Sequence, residues 1–449
     1  MNSSLIRKYD VAAPRYTSYP TVPCWNAGKP SEEQWRMAVK EAAQRDGSIS
    51  LYIHLPFCES LCTYCACNTR ITKNHAVEEP YIENILREWK MYADILPEEV
   101  EISELHLGGG TPTFFSPQHL DRLMSGLKKE IRFSAGASLS FEAHPANTTT
   151  AHLETLFRHG FRRMSLGVQD FNPTVQKLIN RMQSEAQVSS VTNLARIIGY
   201  TSVNFDLIYG LPKQTEESIA ETIKTVIRIR PDRIAFYSYA HVPWMKPGQR
   251  AYSEADLPEG EKKRALYEKG RALLEKSGYS EIGMDHFALP GDELLHAAVS
   301  GTLHRNFMGY TEKATSLLIG LGVSAISDAG TMFVQNEKTV EAWSLHIGKN
   351  EMPFFKGHVL DYEDLVLRKH ISEIMCAGET AFSANGEPAA FYEGLERLKE
   401  LVADKLVRVK NNKITVTKSG KAFLRNICMC FDARLHRNRP GDKVYSKSA

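Results

Sequence analysis

The stretch CESLCTYCAC, from Cys58 to Cys67, holds four of the eight cysteines of this 449-residue chain. Three of them, Cys58, Cys62 and Cys65, have the spacing CxxxCxxC and follow the apolar run ISLYI at 49–53. Thiolates are the usual ligands of iron–sulfur clusters, whereas structural zinc sites need four ligands and favour two CxxC pairs. Three ligands in one loop therefore favour a [4Fe–4S] cluster with one iron free of protein ligands, with zinc or free thiols as the alternatives.

The segments that follow this loop predict parallel βα units. Amphipathic helical stretches such as PYIENILREWKMYADIL separate further short β-rich runs. These runs are SELHL (103–107), SLSFE (138–142), RMSLG (163–167), SVNFDL (202–207) and RIAFYS (233–238). Strict alternation of strand and helix is typical of a parallel sheet. Six units without a clear seventh and eighth predict an α/β fold, a partial (β/α)6 TIM-like barrel, with an open doubly wound sheet as the alternative.

Polar or glycine-rich residues follow every one of these six runs. They are the cysteine loop, GGGTPT at 108–113, Glu142, Gln169 with Asp170, Asp206, and YAH at 239–241. In parallel α/β folds the carboxyl ends of the strands form the active face. We therefore expect these residues to surround a single site that faces the cysteines.

Composition limits the function classes. The chain is 43% hydrophobic and 24% charged with a net charge of +2, which excludes a strongly basic nucleic-acid-binding protein but allows a local basic pocket for an anionic substrate. The first twenty residues have no apolar core of a secretory signal, and no run of about 18 apolar residues predicts a membrane span. We expect a cytoplasmic protein, where clustered cysteines indicate metal rather than disulfides.

Three regions are expected. Residues 1–48 form an N-terminal leader, which contains PRYTSYP at 14–20, and residues 49–350 form the barrel with an extension. Within the extension, the polar and aromatic segment after about residue 283 is expected over the site. Residues 351–449 form a smaller, mainly helical C-terminal domain, whose helices and hairpin LVRVKNNKITVT have a winged-helix outline. A helical cap on the barrel is the favoured interpretation of this domain, and nucleic-acid binding is not expected.

The cysteine spacing is that of the radical S-adenosylmethionine (SAM) enzymes, and longer segments narrow the resemblance. SLYIHLPFC, HLGGGTPT, SLGVQDFN, NFDLIYGLPKQT and RNICMCFD resemble the oxygen-independent coproporphyrinogen III oxidases over most of the chain. The resemblance implies a [4Fe–4S] cluster and two molecules of SAM, which yield a 5′-deoxyadenosyl radical. It also implies the anaerobic conversion of two propionates of coproporphyrinogen III to vinyl groups, which gives protoporphyrinogen IX in heme biosynthesis.

The resemblance also implies roles for individual residues. Cys58, Cys62 and Cys65 would bind the cluster. The first SAM would be lined by Tyr52, Tyr64, Gly109, Glu142, Ala240 and Ile326. The second SAM would be lined by Gly110, Thr111, Gln169, Arg181 and Asp206. The catalytic group would comprise Tyr52, His54, Cys67 and Arg181. Cys67 is not expected to bind iron, and replacing Arg181 is expected to keep the cluster because it changes none of the three ligands.

The implied partners are coproporphyrinogen III and an electron donor such as flavodoxin or ferredoxin, and we expect a monomer. The leader would fold over the site, where Arg15 would pair with a propionate. Two alternatives share the fold: a heme-degrading radical SAM methyltransferase and a heme-binding chaperone. Such relatives usually lack Cys67, and the chaperones lack PRYTSYP, so both segments favour the oxidase. The chain departs from the family pattern at His144 and in HVPWMKPGQR, and no role is assigned to Cys428 and Cys430.

Overall fold

A computed structural model describes residues 3–26, 28–437 and 445–447. The strands β1 to β19 are Ser48–Leu55, Phe57–Cys58, Arg70–Ile71, Glu101–Gly109, Phe133–Ala143, Arg163–Gln169, Ser202–Tyr209, Arg233–Ser238, Ser280–Ile282, His286–Ala288, His304–Asn306, Gly309–Thr311, Leu318–Leu321, Ile326–Asp328, Met332–Asn336, Phe354–Val359, Glu379–Ala381, Val407–Lys410 and Lys413–Val416. The helices α1 to α15 are Ser3–Tyr9, Glu32–Asp46, Glu78–Ala93, Pro117–Glu130, Thr150–Arg158, Pro173–Leu178, Glu185–Ile198, Glu216–Ile229, Gly260–Lys276, Glu293–Ser300, Val340–Gly348, Tyr362–Ala377, Ala389–Ala403, Leu424–Cys430 and Ala433–Arg437.

Six parallel strands form the barrel. β1, β4, β5, β6, β7 and β8 lie side by side in chain order, and each pair between neighbours is parallel. The helices that connect them also contact one another in series, from α3 through α4, α5, α7 and α8 to α9. Helices on one face of a parallel sheet are the arrangement of a barrel rather than of a doubly wound sheet. The partial (β/α)6 barrel predicted from the sequence is confirmed, and each predicted run lies within one of these strands.

The sheet is larger than the sequence predicts, because strands from after residue 280 join both edges. β13 pairs in parallel with β1, and the antiparallel strands β14, β15 and β16 continue that edge. On the other edge β10 pairs antiparallel with β8, and β9 follows. The sheet therefore has twelve strands and extends to Val359, beyond the boundary expected at residue 350. β13 has four residues and ends beside glycines, so its sequence carries little periodicity.

Side-chain caps fix where the connecting helices begin. Thr149, Ser184 and Thr215 precede α5, α7 and α8, and each accepts a hydrogen bond from the backbone N–H three residues later. The residue at that third position bonds back to the cap, which satisfies a second backbone group. These reciprocal hydrogen bonds, called capping boxes, fix where the loops that follow the strands end. No helix among the described residues combines the length and the apolar character needed to cross a membrane.

The leader packs against the C-terminal domain. Ile6, Tyr9, Tyr16 and Tyr19 belong to the same buried cluster as the apolar faces of α12, α13 and α14. The Arg425 guanidinium donates to the carbonyl oxygens of the leader residues Ala13 and Pro14, the latter at 2.9 Å. The leader lies here because three of its tyrosines bury their rings against this domain. Burial of that apolar surface is more favourable than placing the leader over a polar cavity. The division of the chain into three regions stays a prediction.

A buried hydrogen bond fastens the leader. The Tyr16 hydroxyl donates to Oδ2 of Asp432 at 3.0 Å, and both residues are almost fully buried. We expect Tyr16→Phe to lower the free energy of unfolding by about 1–3 kcal/mol, because a buried carboxylate loses a donor. The matched control is Tyr362→Phe, since Tyr362 is 67% exposed. Thermal unfolding measures both, and equal midpoints for the two variants would contradict the importance of this bond.

Candidate functional site

The main cavity of the barrel has a volume of about 650 Å³. Its upper part is formed by the carboxyl ends of the barrel strands, and the cysteine loop that follows β1 lies at its mouth. The expected residues that line it are Cys58, Cys62, Tyr64, Cys65, Cys67, Gly109, Gly110, Thr111, Glu142, Gln169, Arg181 and Asp206. Residues from five of the six expected strand ends thus line one cavity, whereas Asp170 and the YAH residues at 239–241 are not among the residues that line it.

The cysteines fit a polynuclear cluster better than a single ion. All eight are free thiols, and no three His, Cys, Asp or Glu side chains among the described residues lie close enough to hold one metal ion. Mononuclear zinc needs such a convergent set, whereas an iron–sulfur cluster takes one cysteine per iron and spans a wider space. Cys58, Cys62 and Cys65 line one cavity as separated thiols, which is the donor set that a [4Fe–4S] cluster requires.

The electrostatics of the loop differ from one cysteine to the next. Burial raises the pKa of Cys58 to about 11, although its Sγ lies 3.3 Å from the hydroxyl of Thr111. A hydrogen bond from the Cys67 thiol lowers the pKa of Cys65 despite burial. Cys67 therefore lies next to Cys65, one of the predicted cluster ligands.

The glycine segment after β4 brings backbone against the cysteine loop. A Cβ atom on Gly110 would lie 2.5 Å from the carbonyl oxygen of Pro56, so only glycine fits there. Gly109 has a φ of +118°, and a Cβ atom there would lie 2.9 Å from the ring of His54. The Gly109 N–H donates to Glu142 Oε2 at 3.1 Å. The segment thus allows close approach of a ligand to the backbone, as the three glycines predict.

Glu142 is an ionised acceptor at the end of β5. Burial would raise its pKa, but hydrogen bonds from His106 and from the Gly109 N–H outweigh burial and hold the pKa below its ordinary value. Its side chain is 42% exposed. Tyr52 stacks on His106 with the ring centroids 6.1 Å apart and supports this wall from behind. Glu142 can therefore accept hydrogen bonds from hydroxyl or ammonium groups of a ligand.

Arg181 is a half-buried cation between the cavity and the cysteines. Its Nη2 donates to the carbonyl of Gly167 at 2.6 Å, and its Nη1 lies 3.6 Å from Sγ of Cys62. Its Nε has no hydrogen-bond partner among the described residues. The loop after α6 thus brings Arg181 directly against Cys62, one of the predicted cluster ligands.

Asp206 is a destabilised carboxylate in the second half of β7, three residues before the strand ends. Ser165 Oγ donates to its Oδ2 at 2.8 Å, and the Asn204 amide donates to its Oδ1 at 2.9 Å. Burial, with repulsion from Glu142, outweighs these bonds and raises its pKa to about 6. The group can therefore accept a cationic or hydroxylic ligand partner at neutral pH.

The sequence analysis missed the deep part of the cavity, because its charged residues lie at the beginnings of strands. Arg163 of β6 pairs with Glu312 at 2.9 Å, and Arg233 of β8 pairs with Asp292 at 2.6 Å. Both arginines line the cavity. Their position as the first residues of RMSLG and RIAFYS is a sequence signal for this region, whereas the expected site residues follow the strands.

Four expected residues are not among the described residues that line the cavity: Tyr52, His54, Ala240 and Ile326. Tyr52 and His54 lie behind its wall, bonded to each other at 3.1 Å. The Ala240 carbonyl accepts a bond from Gln249 at 3.1 Å, and Ile326 packs against a cluster of Trp25, Phe333 and Leu360. Leader residues are also absent from the described lining, which differs from the expected cover. The roles of all the named site residues stay predictions.

Comparisons with known proteins agree with this site. Residues 52–226 match the radical SAM superfamily. The chain is 40% identical over 442 residues to an oxygen-independent coproporphyrinogen III oxidase of Salmonella typhimurium, with 97% of this chain and 95% of the relative covered. It is 39% identical to a relative of the same name in Pseudomonas aeruginosa, with 97% and 96% covered. A solved coproporphyrinogen III oxidase from Escherichia coli, described as a radical SAM enzyme, is 38% identical with a TM-score of 0.89, over 96% of this chain and 98% of that one.

Asp206 makes stability depend on pH. Because its folded pKa of about 6 lies above its ordinary value of 3.8, the carboxyl favours the folded state below about pH 4, and this contribution is lost as pH rises through 6. Asp206→Asn cannot ionise at this position. We therefore expect its free energy of unfolding, relative to that of wild type, to increase by about 1–3 kcal/mol from pH 4 to pH 7.5. Thermal unfolding at both pH values measures this gain.

The control is Asp94→Asn, because the Asp94 side chain is 58% exposed and pairs with Lys90 on the surface. The difference in free energy of unfolding between Asp94→Asn and wild type is expected to stay nearly constant between pH 5 and pH 7.5. If the difference between Asp206→Asn and wild type is just as constant over this range, Asp206 is not the destabilised carboxylate inferred above.

Proposed function

The chain belongs to the oxygen-independent coproporphyrinogen III oxidases of the radical SAM superfamily, and we propose from its cavity how it carries out their reaction. The enzyme is an oxidoreductase of heme biosynthesis. It decarboxylates two propionates of coproporphyrinogen III to vinyl groups without oxygen, which gives protoporphyrinogen IX. The observation that carries this function is the cavity in which Cys58, Cys62 and Cys65 face the glycine segment, Glu142 and Arg181.

The cofactors fit the residues present. Cys58, Cys62 and Cys65 would hold the [4Fe–4S] cluster, and the remainder of the cavity wall would hold SAM. When bound, the cluster and SAM would supply the radical chemistry that oxidises the substrate propionates. The chain itself contributes binding, orientation and exclusion of water.

The first SAM would lie against Tyr64, Gly109 and Glu142. The lowered pKa of Glu142 keeps its carboxylate ionised, so that it can accept from ribose hydroxyls. Tyr64 is packed against an apolar cluster that includes Tyr239 and Tyr252, and this packing fixes its ring beside the cysteines. Ala240 and Ile326 would complete this site from positions next to the cavity.

The second SAM would lie against Gly110, Thr111, Gln169, Arg181 and Asp206, all of which line the cavity. Arg181 carries a permanent positive charge that can pair with the SAM carboxylate. Its unpartnered Nε supports this assignment, because a buried donor without an acceptor is costly until a ligand supplies one.

His54 acts on Tyr52 rather than on the substrate. Its Nε2 lies 2.8 Å from the carbonyl of Asn68 and must donate to it, so Nδ1 accepts from the Tyr52 hydroxyl at 3.1 Å. Burial lowers the pKa of His54, which keeps the ring neutral. Of the four expected catalytic residues, Cys67 and Arg181 reach the cavity, and His54 and Tyr52 position its wall.

The electron that starts the reaction would come from a separate protein, such as a flavodoxin or ferredoxin. The sequence contains a single CxxxCxxC triad, which supports an external source of electrons. We further propose that the enzyme acts as a monomer in the cytoplasm, and light scattering of the reconstituted protein tests the monomer.

Loss of one cluster ligand should abolish the reaction. Anaerobic reconstitution is expected to give about four irons per chain, and Cys58→Ser is expected to lose the cluster and all SAM cleavage. The control is Cys24→Ser, since Cys24 lies in the leader and contacts Tyr445 instead of the cavity. Iron analysis and chromatography of the vinyl product measure the outcome, and undiminished product from Cys58→Ser would exclude this chemistry.

Arg181 should control the number of SAM molecules bound. Arg181→Ala keeps all three thiols, so we expect the cluster to assemble, one SAM to remain and vinyl formation to be nearly lost. Removing the partner of a buried carboxylate costs about 3–5 kcal/mol. Equilibrium dialysis of SAM measures the stoichiometry, and Arg181→Lys tests whether charge without the guanidinium suffices. Two SAM per cluster in Arg181→Ala would contradict this site.

A further inference from the structure

A second cavity of about 450 Å³ lies where the barrel edge, the leader and the C-terminal domain meet. It is separated from the main cavity by a thin wall. Tyr237 lines the main cavity and the next residue, Ser238, lines the second. In the same way Asp285 lines the second cavity and His286 the main one. The two cavities therefore adjoin across the backbone at the end of β8 and at the start of β10.

The second cavity has an excess of positive charge. Its cationic side chains are Arg15, Arg264, Arg271, Lys418, Lys421 and Arg425. Its carboxylates are Glu268, Glu275, Glu281 and Asp285. Six cations against four carboxylates leave two positive charges uncompensated in the lining.

Each carboxylate has a partner other than Arg15 and Arg425, although Asp285 also attracts both of these arginines. Glu268 pairs with Arg264 and, at 2.7 Å, with Arg271. Arg271 also pairs with Glu275 at 2.9 Å. Glu281 accepts from the Tyr267 hydroxyl, and Asp285 is 2.6 Å from the ring of His286.

Arg15 and Arg425 lie near each other, and both donate hydrogen bonds to neutral carbonyl groups. Arg15 Nη2 donates to the Ser238 carbonyl at 2.6 Å, and Arg425 Nε donates to the Pro14 carbonyl at 2.9 Å. Arg425 is 6% exposed, and burial together with repulsion from Arg15 lowers its pKa to about 10. Buried charge is costly unless an opposite charge compensates it, so this pair is suited to an anion.

We propose that the second cavity binds the two propionate carboxylates that the reaction leaves in place, through Arg15, Arg425 and Lys418. The two uncompensated positive charges match the charge of two carboxylates, and guanidinium groups bind carboxylates in bidentate geometry. This assignment rests on the proposed function. It places the macrocycle at the edge of the wall, with its reacting propionates in the main cavity.

The test is equilibrium dialysis of coproporphyrin III, the fluorescent oxidised form of the substrate, against reconstituted protein. We expect the double variant Arg15→Gln/Lys418→Gln to raise Kd by about tenfold to a hundredfold, because charge-assisted hydrogen bonds are lost. The tetramethyl ester of coproporphyrin III carries no carboxylate, so its Kd should be the same for both proteins.

The matched control is Arg7→Gln. Arg7 is also a leader arginine, but its side chain is 76% exposed and pairs with Glu261 at 3.1 Å outside the cavity. Its Kd for coproporphyrin III should equal that of wild type. If the double variant does not fold, Lys418→Gln alone is expected to raise Kd severalfold, and Arg15→Lys to bind more tightly than Arg15→Gln.

The outcomes separate the two proposals. Suppose that the wild-type enzyme forms protoporphyrinogen IX and that the charge-removing variants have an unchanged Kd. The proposed carboxylate binding in the second cavity would then be wrong, while the proposed function would stand. An equal loss of affinity for the tetramethyl ester would also overturn it, because the effect would then not depend on carboxylates. A wild-type protein that forms no vinyl product would overturn the proposed function itself.

Discussion

The site depends on the backbone bonds that join the cysteine loop to the end of β4. The N–H of Gly110 donates to the carbonyl of Leu55 at 2.8 Å, and the N–H of Thr111 donates to that of Phe57 at 3.1 Å. These bonds continue the parallel ladder between β1 and β4 past the last paired residues. They leave no room for a Cβ atom at Gly110, and they set the position from which Cys58 begins the triad. Cluster ligands and ligand-binding backbone are thereby fixed by one local geometry.

How much of the fold the sequence could predict depends on how far apart along the chain the interacting residues lie. The six barrel strands are short apolar runs with almost completely buried stretches, such as Ile53 and Leu105, and such runs are typical of a parallel sheet covered by helices. The site residues at strand ends followed from the same topology. β13 could not be predicted, because its place beside β1 comes from pairing across more than 260 residues, for which four residues carry no local signal.

The leader and the C-terminal cysteines show the same limit. PRYTSYP has the composition of a polar cover, but Tyr16 and Tyr19 are buried against the C-terminal domain. Cys428 and Cys430 had no assigned role from the sequence, and the structure places both in the core of that domain, where they act as small apolar side chains. In each case the deciding factor is apolar surface on a distant segment, which a local pattern does not contain.

The main cavity also concentrates unfavourable polar burial. Among the described residues ten buried polar side chains have an atom without a hydrogen-bond partner, and Arg163, Arg181, Asn204 and Arg233 of this group line the cavity. A fold selected for stability alone would pair or remove such groups, since each unsatisfied atom costs about 1–3 kcal/mol. Arg163 and Arg233 lie in the deep part of the cavity, whereas Arg181 lies beside Cys62. A ligand that offers acceptors to the arginine N–H groups and a donor to Asn204 Oδ1 would therefore gain binding free energy along the whole depth of the barrel.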